Sequence, residues 1–187
     1  NRWWMDPMLA GKPVRAYGVY SSRQKDMEEI NQSLDFVGVN VYQPFNIASW
    51  GGVSKTSKAG LPRTSMGWLV DERVLYWTLR FVYERYQLPI MVTENGMAEN
   101  DFVCLDGKVH DPQRIDYIQR YLGSVKRALS EGIPVLGYQY WAVMDNFEWA
   151  EGYDPRFGLI FVNYQTGKRT IKEPAYEYKK IIETNGV

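Results

Sequence analysis

Three short apolar runs punctuate a chain whose remaining segments mostly repeat apolar residues with a helical period. Pro89–Thr93 (PIMVT) is apolar on both faces and bounded by turn residues, the pattern of a strand buried in a parallel sheet. It delivers Glu94 to the strand's last position, and Asn95-Gly96 turns the chain away. Asp35–Tyr42 (DFVGVNVY) is β-branched and aromatic and predicts an earlier strand, with Gly38 permitting close backbone approach. Ile133–Trp141 (IPVLGYQYW) predicts a third.

Helical spacing fills the intervals. Residues 1–9 read as the end of a helix followed by a loop to Tyr20, and Met27, Ile30 and Leu34 mark a short helix over 22–34. Asp71 is the expected N-cap of a helix running to Tyr86, with Leu75, Leu79, Val82 and Tyr86 on one stripe. Asp111-Pro112 opens a further helix whose stripe is Ile115, Ile118, Leu122, Val125 and Leu129, and Gly132 stops it. Pro174 starts the last helix, through Ile182.

The predicted order is therefore α-β-α-β-α-β-α, which implies parallel strands joined by right-handed crossovers. The long loops, 43–67, 97–110 and 142–163, each follow a strand, and the last leads into a hairpin-like run, FGLIFVNYQTGKR. Loops of this length inside a compact domain are usually functional. Three strands alone would leave two open edges. A (β/α)₈ TIM barrel takes about 250 residues or more and places its chemistry on the loops after its strands. The 187 residues thus predict an α/β fold in which the whole chain, 1–187, is less than half of one barrel domain.

Composition narrows the function. Formal net charge is zero, so no basic surface points to nucleic acid or an anionic membrane. No apolar run is long enough to span a bilayer, and none reads as a signal peptide. The single cysteine, Cys104, excludes an internal disulfide and suits a reducing, cytoplasmic setting; its neighbours Phe102, Val103 and Leu105 predict a small packed hydrophobe. His110 is the only histidine, which leaves little for a histidine-rich metal site or a Ser-His-Asp triad, and a surface or capping role is expected for it. Aromatic residues reach 15%, with seven Trp and fourteen Tyr. Tryptophan beside acids suits a site that stacks on the C–H face of a sugar and binds its hydroxyls.

Adjacent parallel strands would bring Glu94, Tyr42 and the loop WAVMDNFEWAEGY to one end of the sheet. From the residues alone, Glu94 pairs with Glu148 as the two carboxylates of a glycosidase. Trp141 fits either the core or the site, Asp145 a loop or helix cap, and Glu151-Gly152 a turn.

TENG at 93–96 and WAVMDNFEWAEGYDPRFGLIFVNY at 141–164 resemble glycoside hydrolase family 1, the β-glucosidases. NRWWMDP at 1–7, DFVGVNVY at 35–42, MGW at 66–68 and VHDPQRI at 109–115 extend the resemblance over essentially the whole chain. It corresponds to strands six to eight of the family's barrel and implies that Glu94 is the catalytic nucleophile of a retaining β-glycosidase. Tyr42 would hydrogen-bond and orient it. The family often has a second Tyr where Val41 stands, on the opposite face.

The same resemblance reassigns Glu148 from acid to sugar binder at the 4- and 6-hydroxyls. Trp141 becomes the platform under the sugar, Trp149 an indole donor to a hydroxyl, and Phe157 and Trp68 the lining of the pocket and aglycone entrance. Glu148 would repel a 6-phosphate, so unphosphorylated β-D-glucosides are expected, with galactosides and fucosides tolerated. The family's acid/base Asn-Glu-Pro motif has no counterpart here. Its absence implies that an N-terminal half of the same barrel must be the partner, and that this chain alone is inactive or serves as a carbohydrate-binding or self-associating half-barrel. No cofactor or metal is implied.

Overall fold

A computed structural model describes residues 2–13, 15–16, 19–20, 24–45, 47 and 59–187. In chain order the elements are α1 (Arg2–Ala10), β1 (Arg15–Ala16), β2 (Val19–Tyr20), α2 (Gln24–Ile30), β3 (Val37–Asn40), α3 (Arg73–Tyr86), β4 (Ile90–Asn95), α4 (Pro112–Ser130), β5 (Val135–Tyr140), β6 (Ile160–Val162), β7 (Arg169–Ile171) and α5 (Glu173–Thr184), with a 3₁₀ turn at Trp149–Glu151. The sheet that organises the chain has the order β3-β4-β5 and is parallel throughout. Crossovers through α3 and α4 connect its neighbours, as the alternation of strand and helix patterns requires.

One face of this sheet is dry. Val37, Val39 and Val41 of the first strand, and Ile90 and Val92 of the second, pack against Leu75, Leu79 and Val82 of α3 and Tyr117, Tyr121 and Val125 of α4. The opposite face carries Gly38, Asn40, Met91, Thr93 and Gln139, all exposed or half-buried. Val41 turns onto the packed face and Tyr42 onto the other, the alternation expected of a strand. Bulges between Val39 and Asn40, and between Val92 and Asn95, shift the register where the strands end. Such irregularities commonly re-aim side chains beside active sites.

Several expectations need correction. The helix over 22–34 is shorter, Gln24–Ile30, and residues 21–23 lie outside the described residues, as do residue 46 and 48–58 of the long loop 43–67. The span read as loop before Tyr20 contains the β1–β2 ladder. Helix α3 starts two residues after Asp71, with Glu72 in the cap position, but Asp71 Oδ1 still accepts the backbone N–H of Arg73 at 3.1 Å. In α4 the buried face is Arg114, Tyr117, Ile118, Tyr121, Ser124, Val125 and Ala128, while Leu129 is exposed. The helix is rotated from the aliphatic stripe because two tyrosine rings, Tyr117 and Tyr121, and the Arg114 guanidinium find partners inside. Cys104 is half-buried, and Phe102, Val103 and Leu105 around it are exposed, so that loop is not a hydrophobic anchor.

Candidate active site

The carboxyl ends of the three parallel strands converge on Glu94. Tyr42 donates its hydroxyl to Glu94 Oε2 at 2.7 Å, across 52 residues of sequence. The backbones are fixed to each other as well, because Val41 N–H donates to the Glu94 carbonyl at 3.0 Å. Burial and the hydrogen bond to the carboxylate push the Tyr42 phenol far above its ordinary range, and the nearby charges of Glu94 and Glu148 add to the shift. Tyr42 is therefore a neutral donor at any working pH. Its ring sits in an aromatic triangle: edge-on to Trp68 at 5.3 Å and to Phe157 at 6.3 Å, with those two 5.9 Å apart.

The residue after the nucleophile candidate closes the lattice. Asn95 is fully buried; its amide donates to the Val41 carbonyl at 2.6 Å and to the Tyr117 hydroxyl at 2.9 Å, and its Oδ1 accepts Tyr138 at 2.6 Å. Gly96 follows because nothing larger fits: an added Cβ would lie 1.9 Å from the Trp141 carbonyl oxygen. Trp141 N–H in turn donates to the Asn95 carbonyl at 2.9 Å, which brings the end of β5 against the Glu94 strand.

The loop after β5 is held from below. Segment 142–145 pairs with 157–160 through Ala142 N–H to Phe157 O, Leu159 N–H to Ala142 O, and Asp145 N–H to Ile160 O. Gly158 is obligatory there, since a Cβ would come within 2.1 Å of Asp145 N. Asp145 is more than a cap. Its carboxylate accepts from Gly158 N–H at 3.0 Å, Val162 N–H at 3.2 Å, Arg156 at 2.7 Å and Lys172 at 2.9 Å. Beyond it the loop presents Glu148, with Oε2 3.3 Å from the Asn146 amide, and Trp149, 80% exposed with a left-handed φ of 46°. Glu151-Gly152 forms the turn expected, Glu151 N–H donating to Glu148 O at 2.9 Å.

Behind these loops runs a chain of alternating charges that spacing did not reveal. Arg114, at zero exposure, pairs with Asp111 and with Asp101 at 2.9 Å, and donates to the carbonyls of Met97, Phe157 and Arg156. Lys172, equally buried, joins Asp101 to Asp145. Burial raises the Asp101 carboxyl despite the opposing pull of Arg114 and Lys172. Each buried charge has a partner of opposite sign, the condition under which burial is tolerated. The network links the loops after β4 and β5 to the start of α5.

His110 lies outside the strand-end cluster. Its exposed ring is held between Glu173 at 2.6 Å and Asp106 at 2.9 Å, which raise its pKa, while Asp111 serves as the cap of α4. Among the described residues, Cys104, Asp106 and His110 bring ligand-type atoms within 4.8 Å of one another, with both imidazole nitrogens already engaged. No described helix is long and apolar enough to cross a membrane. A cavity of about 710 Å³ opens along the free edge of β3 between α1 and α3, away from Glu94, and is lined by Met5, Leu9, Val39, Trp77 and Phe81.

Comparison with known proteins matches this geometry to one family. The sequence profile described as Glycosyl hydrolase family 1 matches residues 1–187. Beta-glucosidase A of Thermotoga maritima is 43% identical over 167 residues, 87% of this chain and 37% of that protein. A bifunctional beta-D-glucosidase/beta-D-fucosidase of Bifidobacterium breve is 38% identical over 97% of this chain and 46% of its own length. The solved structure of the Thermotoga maritima β-glucosidase in complex with castanospermine superposes with a TM-score of 0.91 at 37% identity, covering 98% of this chain and 44% of that one. The chain thus spans less than half the length of the relatives it matches, and its fold is a part of their (β/α)₈ barrel.

Proposed function

The chain belongs to glycosyl hydrolase family 1, and from that premise we propose that it supplies the nucleophile portion of a retaining β-glycosidase acting on terminal β-D-glucosides and galactosides. The observation that carries the reading is the Tyr42–Glu94 contact at the ends of adjacent parallel strands. A carboxylate held by a short hydrogen bond from a neutral donor is fixed in its aim, which is what attack on an anomeric carbon requires. Glu94 forms a covalent glycosyl-enzyme; water then releases the sugar with its configuration retained. Trp141 lies under the ring, Glu148 accepts from its 4- and 6-hydroxyls, and Trp149 donates from its indole. Trp68 and Phe157 line the pocket around Tyr42.

Protonation of the leaving group falls to a carboxylic acid outside residues 1–187. Acid catalysis contributes about 10²–10⁴-fold, so residues 1–187 act as the C-terminal portion of one barrel domain whose N-terminal half completes the site. The open edge of β3, with Trp77 and Phe81 exposed beside its cavity, is where that half would seat. The single cysteine favours a reducing, cytoplasmic setting. The test is labelling of the assembled enzyme with a 2-fluoro-β-glucoside. Added mass on a peptide containing Glu94, and its loss in Glu94→Gln, is expected; turnover by Glu94→Gln would refute the assignment.

A second reading rests on the exposed apolar residues along the open edges, Phe36, Phe45, Trp77 and Leu136 among them. In it, copies of the half-barrel pair with each other and bind sugar without turnover. Light scattering of the isolated chain separates the two, since a concentration-independent monomer excludes self-association.

A further inference from the structure

We infer that Asn95, which points away from the open face of the sheet, is the positioning residue that sets the contact between Tyr42 and Glu94. The inference rests on the proposed role of Glu94 as nucleophile. The two ends of that contact come from different strands, so its length depends on how the end of β3 sits on the end of β4. One step earlier the Thr93 hydroxyl donates to Asn40 Oδ1 at 2.7 Å; at Val41 itself two links span the strands, Val41 N–H to the Glu94 carbonyl at 3.0 Å and the Asn95 amide to the Val41 carbonyl at 2.6 Å. Both engage the peptide units flanking Val41, immediately before Tyr42. The side chain of Asn95 therefore fixes the backbone from which the tyrosine projects, while its main chain carries the carboxylate one residue earlier.

The amide is itself pinned. Tyr138 of the third strand donates to its Oδ1 at 2.6 Å, and Tyr117 of α4 accepts from its amide nitrogen at 2.9 Å. Tyr117 stacks on Tyr121 at 3.9 Å, and the Tyr121 hydroxyl reaches the Tyr42 carbonyl at 3.4 Å. A single buried side chain thus joins all three strands and the helix behind them, with three of its four hydrogen-bonding positions used. A buried amide whose oxygen and both N–H donors are engaged has one low-energy arrangement, which is the property a reacting pair needs from its support.

The test uses the assembled enzyme and the first-order rate of inactivation by a 2-fluoro-β-glucoside, measured apart from the inhibitor's binding constant. Asn95→Ala should slow inactivation roughly ten- to hundred-fold, as displacements of about 1 Å near a reacting pair do. Binding should be unchanged, because the groups proposed to hold the sugar lie on the loop after β5. Tyr138→Phe removes one support and keeps the Val41 bond; it should slow inactivation by a smaller factor and fold even if Asn95→Ala does not. A cooperatively unfolding variant that is inactivated at the wild-type rate overturns the inference, as does a loss confined to binding. Label found on a residue other than Glu94 removes the proposed function itself, a distinct failure.

Discussion

Lys172 Nζ lies 2.9 Å from Asp145 Oδ1, and neither side chain is exposed to solvent. One stands at the threshold of α5, the other at the base of the loop that presents Glu148 and Trp149. The pair therefore decides whether that loop has a floor.

Lys172→Met should destabilise the protein by about 3 kcal/mol, because it removes the buried cation shared by the Asp101 and Asp145 carboxylates and leaves them Arg114 and Arg156 as their remaining opposite charges. Denaturant unfolding of the assembled protein measures this. A change below about 1 kcal/mol would mean that water reaches the network.

Tyr42→Phe removes the hydrogen bond that aims the Glu94 carboxylate and should lower the rate of glycosyl-enzyme formation roughly ten- to hundred-fold while the protein stays folded. Single-turnover kinetics alongside thermal unfolding would show whether the loss is chemical or structural.

His110, the only histidine, reports its own environment. Asp106 and Glu173 raise its pKa, and Asp106 is itself lowered, chiefly by the Lys108 backbone N–H and then by His110. The histidine's contribution to stability is complete below its unfolded pKa of about 6.5 and is lost as pH rises through the higher folded value. The aspartate's contribution is present above its unfolded value and fades as pH falls through the lower folded one. Proton NMR of the single imidazole should titrate above 6.5, and Asp106→Asn or Glu173→Gln should bring it down.

Two glycines should respond in opposite directions to alanine. Gly96→Ala drives a Cβ into the Trp141 carbonyl and should cost about 3 kcal/mol or more, with loss of activity. Gly123→Ala, inside α4 with nothing within 4 Å of the new carbon, should stabilise by about 0.5–1 kcal/mol. Thermal melts of both variants compare them directly.

Much of the scaffold was legible because its signals are local. A run of apolar residues closed by Asn-Gly marks the strand that ends near Glu94, and Asp111-Pro112 marks the start of α4 through a cap whose carboxylate accepts Arg114 N–H at 3.2 Å. The half-buried Glu148 and the exposed Trp149 were likewise picked out by a motif, since they stand side by side in sequence.

By itself, the chain's sequence determined the order of the three sheet strands and the helices between them, the parallel sheet and the placement of Tyr42 and Glu94 at its carboxyl end, because propensity, caps and apolar runs act over a few positions. Tertiary structure alone decided which charges are buried. Nothing local in sequence marks Arg114, Asp101 and Lys172 as buried, and their partners stand up to 71 residues away. It also decided which face of α4 turns inward, and that Asn95 points back to hold Val41. Those outcomes depend on the low dielectric and close packing of an assembled interior, conditions that exist only once distant segments meet.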